Sequence, residues 1–230
     1  MGSAVNERAR EIYKSNAGTM ILVAFIYALV NGLTGKIQDE ADFFVISIVC
    51  MVITSIISAS SATFEFRTFN RGTADTADCF AVFKGYGDTS KLVAIALVQT
   101  AILVVTGAVT SLFDDTIFLS LLVSLGSSLI SILFAAVWFL YVANPGYNTA
   151  DYFKASAKYI GNNFWGYFGF VLGHVGIIFL VLIIGVMLTV VGLLLRAIFV
   201  MLYAPYMSLA IAGYVSYLIP DEWYRGTAQF

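Results

Sequence analysis

The single histidine of the chain, His174, lies in a long apolar run and is the first candidate for chemistry. The sequence around it, WGYFGFVLGHVG at residues 165–176, contains no charged side chain. An ionisable residue at membrane depth is a functional candidate by default, because burying it in lipid is costly. A neutral imidazole needs only one hydrogen bond to be buried, and Gln99, Thr54 and Ser124 of neighbouring predicted helices are possible partners. We favour a packed, neutral histidine, and a midplane site for a substrate or a proton is the alternative.

Motifs of established catalytic sites are absent from the sequence. The chain contains no H-E-x-x-H, no G-x-S-x-G and no P-loop pattern. No acidic residue falls deep in a predicted span, which excludes a carboxylate–histidine proton relay. The two cysteines, Cys50 and Cys79, and one histidine do not form a zinc site of the usual spacing. We therefore predict that the protein is not an enzyme and that it uses no metal and no cofactor.

Four glycines in the same run follow helical spacing. Gly166, Gly169, Gly173 and Gly176 are separated by three, four and three positions, which places them on one face of a helix. Lipid provides no hydrophobic drive between helices, so small residues favour association by allowing close backbone approach. These glycines predict a helix-packing seam, chiefly within the chain and alternatively between two copies.

Three further features concern helix shape and helix ends. Pro205 lies inside the last apolar run and predicts a kink, a feature that can also mark a transporter site. Arg196 predicts the turn between the fifth and sixth spans. Asp114 or Asp115 in another turn on the same side could pair with it, and a snorkelling arginine is the alternative.

The composition indicates a membrane protein. Hydrophobic residues make up 60% of the 230 residues and charged residues 11%, whereas soluble domains contain about 25% charged residues. A transmembrane helix needs roughly 20 apolar residues. The apolar runs predict six such helices in a single integral membrane domain, residues 1–230, and an all-α fold of three hairpins. Their approximate limits are 17–34, 43–64, 92–113, 117–144, 164–189 and 197–219.

The distribution of lysine and arginine predicts the orientation of the chain. Of its 12 basic residues, all but Lys36 and Arg196 fall in the two tails and the even-numbered connections. By the positive-inside rule, both termini are cytoplasmic in a cell membrane. A short amphipathic segment precedes each odd-numbered span, at residues 9–16, 78–87 and 151–163. Each predicts an interfacial helix on the cytoplasmic side. The net charge of −2 does not favour nucleic-acid binding.

Several stretches together resemble a known family. They are RAREIYKSNAGTMILVAFIYAL at 8–29, FAVFKGYG at 80–87, NPGYNTADYFKASAKYIGNNFWGYF at 144–168 and APY at 204–206. The chain is similar to the bacterial integral membrane proteins grouped as the domain-of-unknown-function 975 family. It departs from the family pattern in its fourth span, where LGSS at 125–128 replaces an expected Pro-Gly, and in Trp165, which lies at the edge of the fifth span. The resemblance implies a six-span bacterial membrane protein and no particular activity.

Two functions are compatible with these features. The first is a non-catalytic protein that acts by association, as an accessory or scaffold subunit beside a membrane-protein partner or a second copy of itself. The second is a small carrier or channel for a small molecule or an ion, with a midplane site near His174. Abundant small-residue seams and the lack of deep charged residues favour the first.

Overall fold

A computed structural model describes residues 1–40, 44–83, 89–112, 117–187 and 190–226. These residues form helices and no strand, so the predicted all-α fold is confirmed. The α-helices are α1 (Gly2–Glu40), α2 (Phe44–Arg71), α3 (Thr89–Ser111), α4 (Ile117–Leu133), α5 (Val137–Ala143), α6 (Thr149–Asn162), α7 (Phe164–Met187) and α8 (Val190–Leu218). Two short 3₁₀ helices cover Thr76–Phe83 and Asp221–Gly226.

Six helical segments of the described chain are long and apolar enough to cross a membrane. They are Gly2–Gln38, Val45–Arg71, Thr89–Ser111, Gly126–Ala143, Phe164–Val181 and Ala197–Leu218. Consecutive pairs pack against each other, α1 with α2, α3 with α4 and α7 with α8, which gives the three predicted hairpins. The first and last helices, α1 and α8, also pack together.

Two helices extend beyond the predicted limits of their spans. Residues 9–16 belong to the continuous helix α1 and do not form a separate interfacial helix. Helix α2 continues past residue 64 to Arg71, so Glu65 and Arg67 lie inside it. The predicted span ended at residue 64 because Glu65 is the first charged residue after the apolar run. Their side chains have polar partners within the protein, and a charge with partners does not terminate a helix.

The predicted fourth span, residues 117–144, is interrupted. Helix α4 ends at Leu133 and α5 begins at Val137. The hydroxyl of Ser156 in α6 donates to the carbonyl of Leu133 at 2.7 Å and accepts from the backbone N–H of Ala136 at 3.2 Å. This side chain thereby satisfies backbone groups that the interruption leaves without helical partners.

The predicted amphipathic segments after the first have different outcomes. The third is the separate helix α6, which buries Tyr152, Ser156 and Ile160 against α4 and α5. Its apolar face therefore contacts protein. The second begins inside the 3₁₀ helix Thr76–Phe83, and residues 84–87 lie outside the described chain.

The turn between the last two spans differs from its predicted position. Helix α8 begins at Val190, so Arg196 lies within that helix and does not mark the turn. Residues 190–195 contain no proline and three leucines, which favour a helix, so the sequence does not require the helix to begin later. The side chain of Arg196 and residues 114 and 115 lie outside the described part of the structure, and the predicted ion pair of Arg196 with Asp114 or Asp115 stays a prediction.

The densest packing lies at one end of the helix bundle. We define this packed end as the end that holds the start of α1 and the end of α8, where the C-terminal part of α2, α5, α6 and the start of α7 also meet. Phe69, Tyr141 and Tyr152 are fully buried there. The indole N–H of Trp223 donates to the carbonyl of Leu140 at 3.0 Å. Towards the opposite end the helices expose apolar side chains such as Leu33, as expected of surfaces that face lipid.

Candidate functional site

Two adjoining cavities lie between α1, α2 and α8, with volumes of about 230 and 310 Å³. Together we call them the Glu65 cavity. The five residues that line both parts are all polar, namely Tyr27, Asn31, Ser61, Glu65 and Ser208. The larger part also extends to α5, where Trp138 and Phe139 form its wall. Small-molecule sites begin at about 300 Å³, so this cavity has the size of a site for a small ligand.

The carboxylate of Glu65 is the principal chemical group of the cavity. Ser61, one turn earlier in α2, donates its hydroxyl hydrogen to Oε1 of Glu65 at 2.8 Å. Ser208 of α8 lines both parts of the cavity together with Glu65. The bond from Ser61 orients the group and leaves further acceptor positions, because a carboxylate has about four lone-pair sites.

A chain of hydroxyl groups fixes Tyr27 beside the cavity. Ser60 donates its hydroxyl hydrogen to the carbonyl oxygen of Cys79 in the first 3₁₀ helix. The hydroxyls of Tyr27 and Ser60 are 2.8 Å apart, and Tyr27 must be the donor because the hydrogen of Ser60 is already used. The bonds connect α1, α2 and the 3₁₀ helix, so the aromatic ring of Tyr27 is a rigid part of the wall.

Basic residues do not line the cavity in the described part of the chain. The closest arginines along α2 are Arg67 and Arg71, and both bind the buried Asp78. The distances are 2.8 Å from Arg67 Nη1 to Oδ1 and 3.0 Å from Arg71 Nη1 to Oδ2. Asp78 therefore binds the two cations at the end of α2, and the partner of Glu65 among the described residues is the hydroxyl of Ser61.

Trp138 lines the larger part of the cavity and also a separate cavity beside Gln99, and it has a buried hydrogen-bond donor without a partner among the described residues. Trp138 is 6% exposed, and its indole N–H has no acceptor among the described atoms. Such groups usually bind water or a ligand, because an unpaired buried donor costs about 1–3 kcal/mol.

Helix α8 contributes a local gap in its backbone bonding to the same site. The helix runs through Pro205, which lines the smaller part of the cavity together with Ala204. Proline has no N–H, so α8 lacks one backbone hydrogen bond at this level. The carbonyl left without a donor is that of Met201, four residues before Pro205. The next carbonyl, that of Leu202, accepts a hydrogen bond from the hydroxyl of Tyr13 in α1 at 2.6 Å.

His174 makes its contacts within its own hairpin. Its Nδ1 donates to the carbonyl of Phe170, one turn earlier in α7, at 2.9 Å. The imidazole lies 6.4 and 6.0 Å from the ring centres of Tyr203 and Tyr206 in α8. The histidine is 5% exposed, so it is packed among aromatic rings.

The residues predicted as partners of His174 make other bonds. Ser55 donates to Oε1 of Gln99 at 2.9 Å, which joins α2 to α3. The hydroxyl of Thr54 lies 3.5 Å from that of Thr34 in α1. The side chain of Ser124 lies outside the described residues. The structure thus gives His174, Gln99 and Thr54 separate partners and does not join them through the hydrogen bonds of the described residues.

Among the described residues, the predicted glycine seam makes a close contact at its first glycine, Gly166. A Cβ atom on Gly166 would lie 2.8 Å from the hydroxyl of Tyr214. A Cβ atom on Gly169, Gly173 or Gly176 would meet no described atom within 4 Å, and all three residues are exposed. These three glycines therefore do not pack closely against another helix among the described residues.

The close approach between helices occurs at a glycine that the sequence did not single out. A Cβ atom on Gly213 of α8 would lie 2.3 Å from the ring of Phe69 in α2. Sequence reasoning looked for several glycines at helical spacing and for this reason passed over a single glycine.

Sequence reasoning also missed Glu65, although the sequence contains a signal for it. Small polar residues follow one face of α2, and Glu65 comes four positions after Ser61 on that face. A carboxylate that continues a polar stripe of a helix faces the protein interior more readily than lipid.

No family model matches the chain, and neither does any curated protein or solved structure. The resemblance to the domain-of-unknown-function 975 family stays a prediction.

Proposed function

We propose that the protein is a small carrier that binds a polar solute in the Glu65 cavity and moves it across a cell membrane. The observation that supports the proposal is a carboxylate inside a helix of membrane-spanning character, facing a cavity with polar walls. Ionisable groups at such positions are costly and face the bundle interior where they mark solute or ion pathways. This assignment moves the candidate site from His174 to Glu65.

The proposed orientation follows from the basic residues of the chain. With both termini cytoplasmic, the packed end of the bundle faces the cytoplasm. Glu65 lies six residues before Arg71, the end of α2, which corresponds to about 9 Å along the helix axis. The proposed site is therefore closer to the cytoplasmic end of α2 than to the middle of this 28-residue helix. Pro205 provides a position at which α8 can bend. The hydrogen bond from Tyr13 to Leu202 keeps α8 attached to α1 three residues before that position.

The proposal is tested by uptake into proteoliposomes. Vesicles that contain the purified full chain are incubated with a defined mixture of small amines, sugars, alcohols and carboxylates. After washing, the vesicle contents are measured by mass spectrometry. We expect several-fold enrichment of at least one solute over protein-free vesicles, and loss of the enrichment in Glu65→Gln. The matched control is Glu11→Gln, which neutralises an exposed carboxylate of α1. The absence of any enriched solute over protein-free vesicles would contradict the proposal.

A second candidate function is association with another membrane protein or with a second copy. The specific observation is the exposed face of α7, where Gly169, Gly173 and Gly176 leave open space among the described residues. A tagged chain purified from native membranes in mild detergent should then retain a near-stoichiometric partner or form a homo-oligomer. Gly173→Leu should release the partner, whereas Gly107→Leu, on an open position of α3, should not. Neither function requires catalysis, a cofactor or nucleic acid.

A further inference from the structure

We propose that the Glu65 cavity binds a small organic ammonium ion, with the carboxylate of Glu65 as its counter-charge. The inference rests on the proposed function for the location of the site. It can be tested separately, because binding at equilibrium does not require transport.

The first argument is the charge of the cavity. Among the described residues that line the cavity, Glu65 is the only carboxylic acid, and no lysine or arginine is present. Its hydrogen-bond donor is the hydroxyl of Ser61, and the neighbouring Ser208 likewise brings no positive charge. The two arginines further along α2 are bound to Asp78. A ligand that carries a positive charge would complete this site, whereas an anionic ligand would face repulsion from Glu65 at short range.

The second argument is the aromatic character of the wall. Tyr27, Trp138 and Phe139 line the larger part of the cavity beside Glu65. Aromatic faces attract ammonium groups, and tryptophan provides the strongest attraction. Na⁺ prefers a shell of oxygen ligands, and a cavity with three aromatic side chains suits an organic cation better.

The third argument concerns the part of the ligand beyond its charge. The buried N–H of Trp138 has no acceptor among the described atoms. An ammonium group has no acceptor to offer, so a hydroxyl or carbonyl oxygen elsewhere in the ligand would accept this bond. The adjoining volumes of about 310 and 230 Å³ admit a compact molecule of this kind. An amino alcohol has both groups, and 2-aminoethanol is the simplest probe.

The test is isothermal titration calorimetry on the full chain in mild detergent at neutral pH. Three probes of similar size differ in charge: protonated 2-aminoethanol, ethylene glycol and glycolate. A second set replaces them with n-butylammonium, 1-butanol and butyrate, and NaCl is titrated alone. We expect each ammonium probe to bind at least about tenfold more tightly than its neutral and anionic counterparts, as for a charge-assisted hydrogen bond. This comparison uses the unmodified chain and does not depend on the folding of a variant.

Two variants then assign the contacts. Glu65→Gln retains hydrogen-bonding groups at the same position but removes the charge. It should lower the affinity for both ammonium probes about 10- to 100-fold. Glu11→Gln should leave their affinities unchanged. Trp138→Phe keeps a ring and removes the N–H, so it should weaken 2-aminoethanol more than n-butylammonium. An equal effect on both probes would contradict the role of the Trp138 N–H.

Other outcomes separate the inference from the proposed function. Binding of a neutral or anionic probe as tight as that of its ammonium counterpart, or Glu65-dependent binding of Na⁺ alone, would overturn the ammonium assignment and leave a carrier of another solute possible. Tight ammonium binding without uptake by proteoliposomes would contradict the carrier and retain the binding site. Ammonium affinity that persists in Glu65→Gln would also overturn the assignment.

Discussion

Replacement of Gly213 by alanine tests the closest helix contact of the packed end. The new Cβ atom would lie 2.3, 2.5 and 2.7 Å from Cε2, Cζ and Cδ2 of Phe69. Carbon atoms in contact stand about 3.5–4.0 Å apart, so the ring would have to move by roughly 1 Å. Phe69 is 1% exposed, the guanidinium of Arg8 lies 4.9 Å from its ring centre, and Tyr217 packs edge-on against it. The ring therefore has little free space to enter.

The expected magnitude is the difference between two opposing effects. Overpacking of a core costs about 1–3 kcal/mol, and alanine gains about 1 kcal/mol over glycine in helix propensity. Because three ring atoms are too close at once, we expect a net loss of about 1–2 kcal/mol in the free energy of unfolding. For a chain of this length, 1 kcal/mol corresponds to about 2–4 °C in Tm.

The assay is thermal unfolding of the purified chain in mild detergent, with Gly169→Ala and Gly173→Ala as matched controls. In both controls the new Cβ meets no described atom within 4 Å, so they should unfold at or slightly above the wild-type temperature. If Phe69 is the obstacle, Phe69→Leu combined with Gly213→Ala should cost less than the sum of the two single changes. A Gly213→Ala chain as stable as the controls would refute the close approach of α2 and α8.

Two further predictions concern the first 3₁₀ helix, Thr76–Phe83. Asp78→Asn removes the charge that Arg67 and Arg71 share. We expect a loss of about 2–4 kcal/mol in chemical or thermal unfolding, below the full value for a buried pair because the Arg71 side chain is 35% exposed. Asp75→Asn, at an exposed neighbouring position, is the control, and equal stabilities of the two variants would show that the ion pairs contribute nothing. Burial raises the pKa of the Cys79 thiol, so this group is neutral at pH 8 and should react with iodoacetamide more slowly than in the unfolded chain. The stability that its neutral form contributes is present below the ordinary thiol pKa of about 8.5 and is lost as the pH rises through the higher folded value. Alkylation in a Cys50→Ala background, followed by mass spectrometry from pH 7 to 10, measures the reaction; equal rates for the folded and unfolded chains at pH 8 would contradict the burial.

The number and character of the spans could be predicted from the sequence, because a bilayer requires long apolar runs regardless of how the helices later pack. The helix ends were less accessible. The predicted second span ended before Glu65, and the predicted last turn lay at Arg196. Both predictions assumed that a charged residue marks the end of a span. In the structure, α2 continues to Arg71 because its charged side chains find partners on other elements. One such partner, Asp78, lies in a separate 3₁₀ helix, and its pairing with Arg67 cannot be read from spacing alone.

The candidate site was also difficult to predict from the sequence, because its residues are far apart along the chain. His174 was conspicuous because it is the only histidine, yet its hydrogen-bond partner is a carbonyl of its own helix. Glu65 was inconspicuous because its surroundings come from distant segments, Tyr27 in the first helix and Ser208 in the last. No periodicity in the sequence connects these positions. The packing of α1, α2 and α8 against one another, which includes the bond between Tyr13 and Leu202 across 189 positions, brings them together.

This arrangement has a consequence for biosynthesis. Helices α1 and α2 leave the ribosome and enter the membrane long before α8 is made, because domains emerge from their N-terminal side first. During this interval Glu65 has Ser61 in its own helix but lacks Ser208 and the wall that α8 provides. A carboxylate in that position favours a location near water until the last helix arrives. Insertion of α8 therefore both completes the bundle and creates the Glu65 cavity, so under the proposed function a nascent chain would be unable to bind its solute before its synthesis is nearly finished.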